Sequence, residues 1–155
     1  MALKFEHRVG VNAPAETIWG FVYDLTTWPD WNPLYPKAEG QIRIGTTLEL
    51  TLALPGEAHR TIRPKVVDWI PNEQLHWRLT MLGGLVNNIR YVEIEKLGPE
   101  NCILSNGEIF GGLLGPMVGK QMARSINRGF TQMGEALKAH AEAAWREQAS
   151  APTSV

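Results

Sequence analysis

The sequence predicts an α+β fold in which a curved antiparallel sheet of about seven strands is wrapped around a long C-terminal helix, with two short helices after the first strand. Three observations predict it. A tryptophan-proline cluster, WPDWNP, occupies residues 28–33 and marks short helices near the N-terminus. Segments that alternate polar and apolar residues fill most of the chain after it, and residues 115–148 then form one uninterrupted helical run. A sheet curled around its last helix encloses a cavity, which suits a small apolar ligand.

The N-terminal segment predicts a half-buried strand followed by a helix. From Leu3 to Val11, apolar residues alternate with mainly charged ones, which is the period of two of a strand. Pro14 suits the first turn of a helix, because its missing N–H needs no partner there. Residues 24–30 predict a second short helix that ends by Pro33.

The middle of the chain predicts six further strands separated by turns of glycine, proline and asparagine. They cover residues 38–44, 46–54, 59–70, 74–82, 87–97 and 102–110. Pro64 interrupts the third of these segments, and proline requires an edge position or a bulge because it donates no hydrogen bond to a sheet.

The C-terminal run predicts one amphipathic helix with a single apolar face. That face carries Met122, Ile126, Phe130, Met133 and Leu137. Glycines 119, 129 and 134 within the run suggest close approach of the sheet, room for a ligand or a bend. We expect the last turns around Trp145 to protrude or fray, residues 1–148 to form one domain and residues 149–155 to be a disordered tail.

Composition excludes several classes of function. A formal net charge of −1 without a basic stripe argues against a nucleic-acid partner. The longest apolar stretch, residues 109–119, is too short to insert across a membrane and contains Pro116. The single cysteine, Cys102, cannot form an internal disulfide, and we read it as a small buried hydrophobe. With no apolar segment typical of a signal peptide at the N-terminus, these features predict a cytoplasmic protein, either a monomer or a homodimer.

No pattern of metal-binding or nucleophilic residues emerges from the sequence. The four histidines are scattered, and none lies near the cysteine or at a ligand spacing from another. The serines lack the context of a nucleophile elbow, and no glycine-rich phosphate loop is present. We therefore expect neither a metal nor a cofactor.

Four segments resemble the START-like superfamily, in its bacterial polyketide-cyclase and lipid-transfer branch, often called SRPBCC. Residues 11–19 (VNAPAETIW) resemble the opening strand and helix of that superfamily. Residues 28–33 resemble its second helix, residues 71–77 (PNEQLHW) its turn and strand with a Leu-x-Trp pair, and residues 108–114 (EIFGGLL) its last strand. The resemblance implies a helix-grip fold. It leaves the activity open, because the superfamily includes ligand carriers, aromatases and cyclases, hydrolases and chaperone activators.

Glu108 is the best candidate for a polar group in the cavity. It shares strand parity with Leu104, Asn106 and Phe110, so an inward Phe110 would bring Asn106 and Glu108 inward as well. A carboxyl group on an apolar wall would have a raised pKa and would suit an acid, a base or a ligand anchor. The alternatives are the reverse parity, with Ile103 inside, or an inward Glu108 held in a structural ion pair.

Three cations are possible partners of Glu108 in such a pair. Arg63 and Lys65 share the parity of His59 and Thr61, and Arg90 lies on the strand expected to pair with that of Glu108. Most charged side chains of this kind face the solvent, so the solvated face is the default expectation for each of the three.

Aromatic and apolar side chains are the candidates for contact with the ligand, because ligand cavities are lined mainly by such groups. The predicted set comprises Trp28, Trp31, Tyr35, Trp77, Leu79, Met81, Leu104, Phe110, Met122, Ile126 and Phe130. Ordinary core packing is the alternative for each of them.

Three functions remain open at this stage. The first is a carrier that binds a small hydrophobic molecule such as a lipid, quinone, polyketide or aromatic metabolite. The second is a cyclase, aromatase or dehydratase in which Glu108 moves protons and Asn106 polarises a carbonyl group. The third is a protein-interaction module of the chaperone-activator type, in which the long helix and Trp145 supply a docking surface.

Overall fold

The structure is an α+β fold in which antiparallel strands curve around one long helix, as predicted. It is a computed structural model that describes residues 2–150. The helices are α1 (Ala15–Tyr23), α2 (Trp28–Trp31), α3 (Gly115–Gln121) and α4 (Ala123–Ser150). The strands are β1 (Leu3–Val11), β2 (Lys37–Glu39), β3 (Glu49–Leu52), β4 (Arg60–Ile62), β5 (Lys65–Ile70), β6 (Gln74–Met81), β7 (Val86–Gly98) and β8 (Asn101–Gly111). Short 3-10 turns cover Leu25–Thr27 and Leu82–Gly84.

The strands form two hydrogen-bonded sheets where the sequence predicted one. The large sheet has the order β1-β8-β7-β6-β5 and the small sheet the order β2-β3-β4, and all pairs are antiparallel. The predicted strand at 59–70 divides around Pro64, so that β4 joins the small sheet and β5 becomes the edge of the large one. The sheets join where Leu48 donates its N–H to the backbone oxygen of Pro64 at 2.8 Å, and Val66 donates to that of Thr46 at 2.9 Å.

The two strands predicted at 38–44 and 46–54 are shorter than expected. Gly40 has a φ of +128° and Gly45 a φ of +85°, so the chain turns at both glycines instead of continuing as a strand. The strands that remain, β2 and β3, are three and four residues long. With this turning, Leu52 of β3 and Ile62 of β4 reach the wall of the cavity described below.

The C-terminal helix is not continuous. Met122 separates α3 from α4, with a φ of −105° and a ψ of 10° that lie outside the helical region. The helix before the break is weak, because its seven residues include Gly115, Pro116 and Gly119. The break lets α3 pack on the end of β8, whereas α4 crosses the sheet.

The predicted apolar face of α4 is buried. Ile126, Phe130, Met133 and Leu137 all face the core, and each is at most 3% exposed. Trp145 also packs against this core and is half-buried, so the expectation that it protrudes is wrong. The helix ends at Ser150, two residues beyond the predicted end, and the rest of the predicted tail lies outside the described residues.

Glycines allow α4 to approach the sheet closely, which decides among the roles considered for them. A Cβ atom on Gly134 would lie 2.8 Å from Cε1 of His7 and 3.1 Å from Nδ2 of Asn106. A Cβ atom on Gly129 would lie 3.1 Å from both Leu34 and Leu54. Neither position has room for a larger side chain without movement of its neighbours.

A polar contact ties α4 to the end of β1. Glu142 accepts a hydrogen bond from the backbone N–H of Asn12 at 2.7 Å and from Nζ of Lys138 at 2.8 Å. Lys138 in turn donates to the backbone oxygen of Gly10 at 2.7 Å. Burial alone would raise the pKa of Glu142, but these two hydrogen bonds hold that pKa below its ordinary value.

Gly134→Ala should lower the stability of the protein although alanine favours helices. We expect a loss of about 1–3 kcal/mol in the free energy of unfolding, since the new methyl group would overlap His7. The matched control is Gly20→Ala in α1, where a Cβ atom meets nothing within 4 Å. That variant should gain up to about 1 kcal/mol from helix propensity. Urea unfolding measures both, and equal effects of the same sign would contradict the close approach.

Glu142→Gln should destabilise the protein at neutral pH and leave it unchanged in acid. Because the pKa of Glu142 is lower in the folded state, its ionised form stabilises the fold above the unfolded-state pKa of about 4.3. That contribution is lost as the pH falls through the folded-state pKa. We expect a deficit of about 1 kcal/mol at pH 7, measured by thermal unfolding across the pH range. Glu147→Gln, at an exposed position of the same helix, is the control, and a deficit that persists unchanged at low pH would contradict the assignment.

Candidate functional site

A cavity of about 290 Å³, partly open to the solvent, lies between the concave face of the large sheet, the small sheet and the two C-terminal helices. Its walls are mostly apolar, and only a few polar side chains reach it. The lining residues are Tyr35, Leu52, Leu54, Arg60, Ile62, Trp77, Leu79, Met81, Leu82, Val86, Asn88, Arg90, Glu108, Phe110, Val118, Met122, Ile126 and Phe130.

The structure brings most of the sequence-predicted ligand contacts to this cavity. Eight of the predicted apolar and aromatic residues line it, and Glu108 lines it as well. The eight are Tyr35, Trp77, Leu79, Met81, Phe110, Met122, Ile126 and Phe130.

Four predicted site residues lie elsewhere. Trp28 is fully buried behind the cavity wall, where its indole N–H donates to the backbone oxygens of Phe21 and Val22 at 3.1 and 3.3 Å. The rings of Trp31 and Trp28 pack edge to face. Leu104 and Asn106 are also buried away from the cavity and are described with β8 below.

The loop after α2 presents Tyr35 to the cavity. Asn32 closes this loop, because its Oδ1 accepts hydrogen bonds from the backbone N–H groups of Leu34 and Tyr35 at 3.1 and 3.0 Å. The ring of Tyr35 then packs on Trp28 and Trp77 with ring centroids 5.7 and 6.0 Å away. The tryptophan-proline motif therefore supports the cavity wall and supplies one residue next to it.

The parity expected for β8 is the observed one. Leu104, Asn106 and Phe110 are each at most 5% exposed, and Glu108 faces the same side of the sheet. Leu104 packs in the core. Asn106 lies beyond the cavity because its Nδ2 donates to the backbone oxygen of Phe130 at 3.2 Å. The amide next to Glu108 in the cavity is therefore Asn88 and not Asn106.

Arg90 is a buried cation at the base of the cavity and is 2% exposed. Five acceptor atoms surround its guanidinium group at 2.9–3.1 Å, which matches its five N–H donors. They are the hydroxyl of Tyr35, the backbone oxygens of Tyr91 and Gly107, Oδ1 of Asn106 and Sδ of Met133.

Aromatic rings replace the carboxylate that a buried arginine usually requires. Within residues 2–150, no carboxylate forms an ion pair with Arg90. The guanidinium carbon instead lies 4.1 Å from the ring centroid of Phe130 and 5.5 Å from that of Trp77. A desolvated cation–π contact of this kind contributes about 2 kcal/mol.

Glu108 lies directly opposite Arg90 in the register of β7 and β8. Its Oε2 accepts a hydrogen bond of 2.7 Å from Nδ2 of Asn88. Burial raises the pKa of Glu108 above its ordinary value, while the charge of Arg90 and the hydrogen bond from Asn88 oppose that rise. Burial also raises the pKa of the Tyr35 hydroxyl, against the opposing charge of Arg90.

The other two cations considered as partners of Glu108 lie outside the cavity. Arg63 is exposed and pairs with Glu49 at 2.8 Å, and Lys65 is exposed on β5. Arg90 was considered only as a possible partner of Glu108 and Asn88 was not considered, although the burial pattern of β7 carries a signal for both. They fall in phase with Val86 and Val92, and every second residue from Val86 to Ile94 is buried.

Two features that would suggest other functions were not found among residues 2–150. No group of three or more His, Cys, Asp or Glu residues is placed to hold a metal ion there. Within the same range, no helix combines the length and apolar character needed to cross a membrane.

A curved antiparallel sheet, a C-terminal helix and a cavity between them define a START-like (SRPBCC) domain. The chain belongs to the family described as polyketide cyclase/dehydrase and lipid transport, whose model matches residues 2–142. No match to a curated protein was found for the sequence.

Solved structures share this fold at low sequence identity. A START superfamily protein from Mycobacterium smegmatis is 24% identical with a TM-score of 0.69, over 91% of this chain and 98% of the other. The Zhui aromatase/cyclase from Streptomyces is 18% identical with a TM-score of 0.69, over 100% of both chains. Norcoclaurine synthase from Thalictrum flavum, in complex with a transition-state analogue, is 19% identical with a TM-score of 0.70, over 93% of this chain and 96% of the other.

Arg90→Lys should destabilise the protein strongly although it keeps the charge. Lysine has three donors on one nitrogen and cannot reach the acceptors that surround the guanidinium group, so buried acceptors lose their partners. We expect a loss of about 3 kcal/mol or more in the free energy of unfolding. Arg78→Lys, on the exposed face of β6, should change it by less than about 0.5 kcal/mol. Urea unfolding compares the two, and similar small effects would show that the network contributes little.

Proposed function

We propose that this protein reversibly binds a small, largely apolar molecule, such as a lipid, quinone, polyketide or aromatic metabolite, in the cavity between the sheet and the C-terminal helices. The observation that carries the proposal is the cavity of about 290 Å³ with its mostly apolar walls. Ligand sites are typically concave and lined by hydrophobic and aromatic groups with a few polar ones. The description of the family, which includes lipid transport, supports the same interpretation.

The walls and the polar groups of the cavity have separate roles in this proposal. Side chains such as Leu79, Met81 and Met122 supply apolar contact and adapt to the shape of the ligand. Asn88 and Glu108 supply the polar groups that orient it. We further propose that the protein acts in the cytoplasm as a monomer or homodimer and binds no nucleic acid, in keeping with its net charge of −1.

A thermal-shift screen against lipids, quinones, polyketides and steroid-like compounds tests this function, together with native mass spectrometry of the purified protein. A ligand at a hundred times its dissociation constant adds about 2.7 kcal/mol of stability, which corresponds to about 5–10 °C for a domain of this size. Val118→Phe should fill the cavity and abolish the shift. Met117→Phe, at the neighbouring exposed position, is the control. A shift that is equal in both variants would place the ligand elsewhere.

A second candidate function is acid–base catalysis of the cyclase or dehydratase type. The observation that favours it is the carboxyl group of Glu108, whose pKa is raised and which opens into an apolar cavity beside an amide. In this mechanism Asn88, and not Asn106 as first predicted, polarises the carbonyl group of the substrate. The names of the Streptomyces and Thalictrum enzymes are consistent with such chemistry on this fold.

Glu108→Gln distinguishes the carrier from the enzyme. With a substrate identified by the screen, catalysis by Glu108 predicts a loss of about 10²-fold or more in kcat, measured at saturating substrate. Unchanged turnover would exclude Glu108 as the acid or base, and no turnover in the native protein would leave the carrier. The third function considered, a docking surface around Trp145, would use a side chain that is only partly available, because it packs in part on the core.

A further inference from the structure

The polar groups of the cavity differ in their capacity to bind a ligand, because the hydrogen-bond donors of Arg90 are all used within the protein. All five N–H donors of Arg90 have an acceptor, so the guanidinium group has no donor left for a ligand. Arg90 therefore contributes a fixed positive charge to the cavity and no further hydrogen bond.

Asn88, in contrast, has a hydrogen-bond acceptor that the protein does not use. Its Nδ2 donates to Oε2 of Glu108, and its Oδ1 is buried without a hydrogen-bond partner among residues 2–150. In this orientation of the amide, the NH2 group of Asn88 is the donor and the carboxyl oxygen of Glu108 is the acceptor. Asn88 is 1% exposed and lines the cavity, so we take the cavity to be where its unpaired oxygen meets a partner.

Glu108 adds a second acceptor at the same end of the cavity. Its Oε2 is occupied by Asn88, and Oε1 accepts no hydrogen bond from the described part of the chain. An unpaired buried acceptor costs about 1–3 kcal/mol, and a ligand donor would recover that cost.

From these contacts we infer that the cavity selects an uncharged ligand whose polar end is a hydrogen-bond donor, namely the hydroxyl group of an alcohol, phenol or enol, bound by Oδ1 of Asn88 beside Glu108. The inference rests on the proposed function and specifies its ligand class. A hydroxyl group suits the site because it donates to the unpaired oxygen.

Charges of both signs at this end of the cavity disfavour a charged ligand. A cationic ligand at Asn88 would be attracted by Glu108 but repelled by the two positive charges of Arg90 and Arg60. An anionic ligand would be attracted by the two arginines but repelled by Glu108, and the unpaired oxygen of Asn88 has no donor to offer it. A neutral hydroxyl group meets neither repulsion.

Matched probes test this inference on the full chain by calorimetry: naphthol, its methyl ether and the corresponding ammonium compound, naphthylmethylamine. We expect naphthol to bind at least about tenfold more tightly than the ether, which cannot donate, and than the ammonium compound. Asn88→Leu should remove the preference over the ether. Asn87→Leu is the matched control, because Asn87 is the neighbouring asparagine on the exposed face of the same strand.

Glu108→Gln provides a second variant should Asn88→Leu fail to fold. Glutamine can pair both of its amide groups with those of Asn88, so the oxygen of Asn88 is consumed and the advantage of naphthol over its ether should fall about tenfold. Equal binding of naphthol and its ether to the native protein, or a preference that survives both variants, would overturn the inference and leave the proposed function intact. If no probe binds and the thermal-shift screen is also blank, the proposed function fails and the inference fails with it.

Discussion

The buried charge of Arg90 is the constraint on which the arrangement around the cavity depends. Removing a guanidinium group from water costs several kcal/mol unless its donors are satisfied. The acceptors that satisfy it come from β7, β8, α4 and the loop that carries Tyr35. No single element can supply them, so the charge is compensated only when all four are in place. The packing of Phe130 over the same group extends this requirement to the ring that lines the cavity.

Part of the cavity wall is independent of this shell of contacts around Arg90. Leu79 and Met81 line the cavity and take no part in the contacts of Arg90, whereas Tyr35 and Phe130 belong to both. Residues such as Leu79 and Met81 can therefore be exchanged for others of similar volume at a cost of less than about 1.5 kcal/mol, without exposing the buried charge. The family has one fold and several described activities, which is consistent with such a division.

Periodicity predicted the elements well wherever one face is buried. The bounds of β1 were predicted exactly, and the inward parity of Glu108 followed from that of Phe110. Depth was not predictable, because Trp28 and Trp77 look alike in sequence while only Trp77 reaches the cavity. The partners of Arg90 also escaped prediction, since they are brought together by tertiary packing of four elements. Nor could periodicity locate the break at Met122. The apolar stripe continues through this residue, although its backbone dihedral angles are not helical.

That break divides the cavity wall into two parts of unequal stability. α4 has 28 residues and buries one whole face, whereas α3 has seven residues and buries only Gly115 and Gly119. Exchange of backbone amide protons reports local opening, which requires less free energy where little surface is buried. Because α3 supplies Val118 to the cavity wall, opening of this one short segment would widen the cavity while the shell around Arg90 stays closed. Access to the cavity would then depend on the local stability of α3 and not on the global stability of the domain.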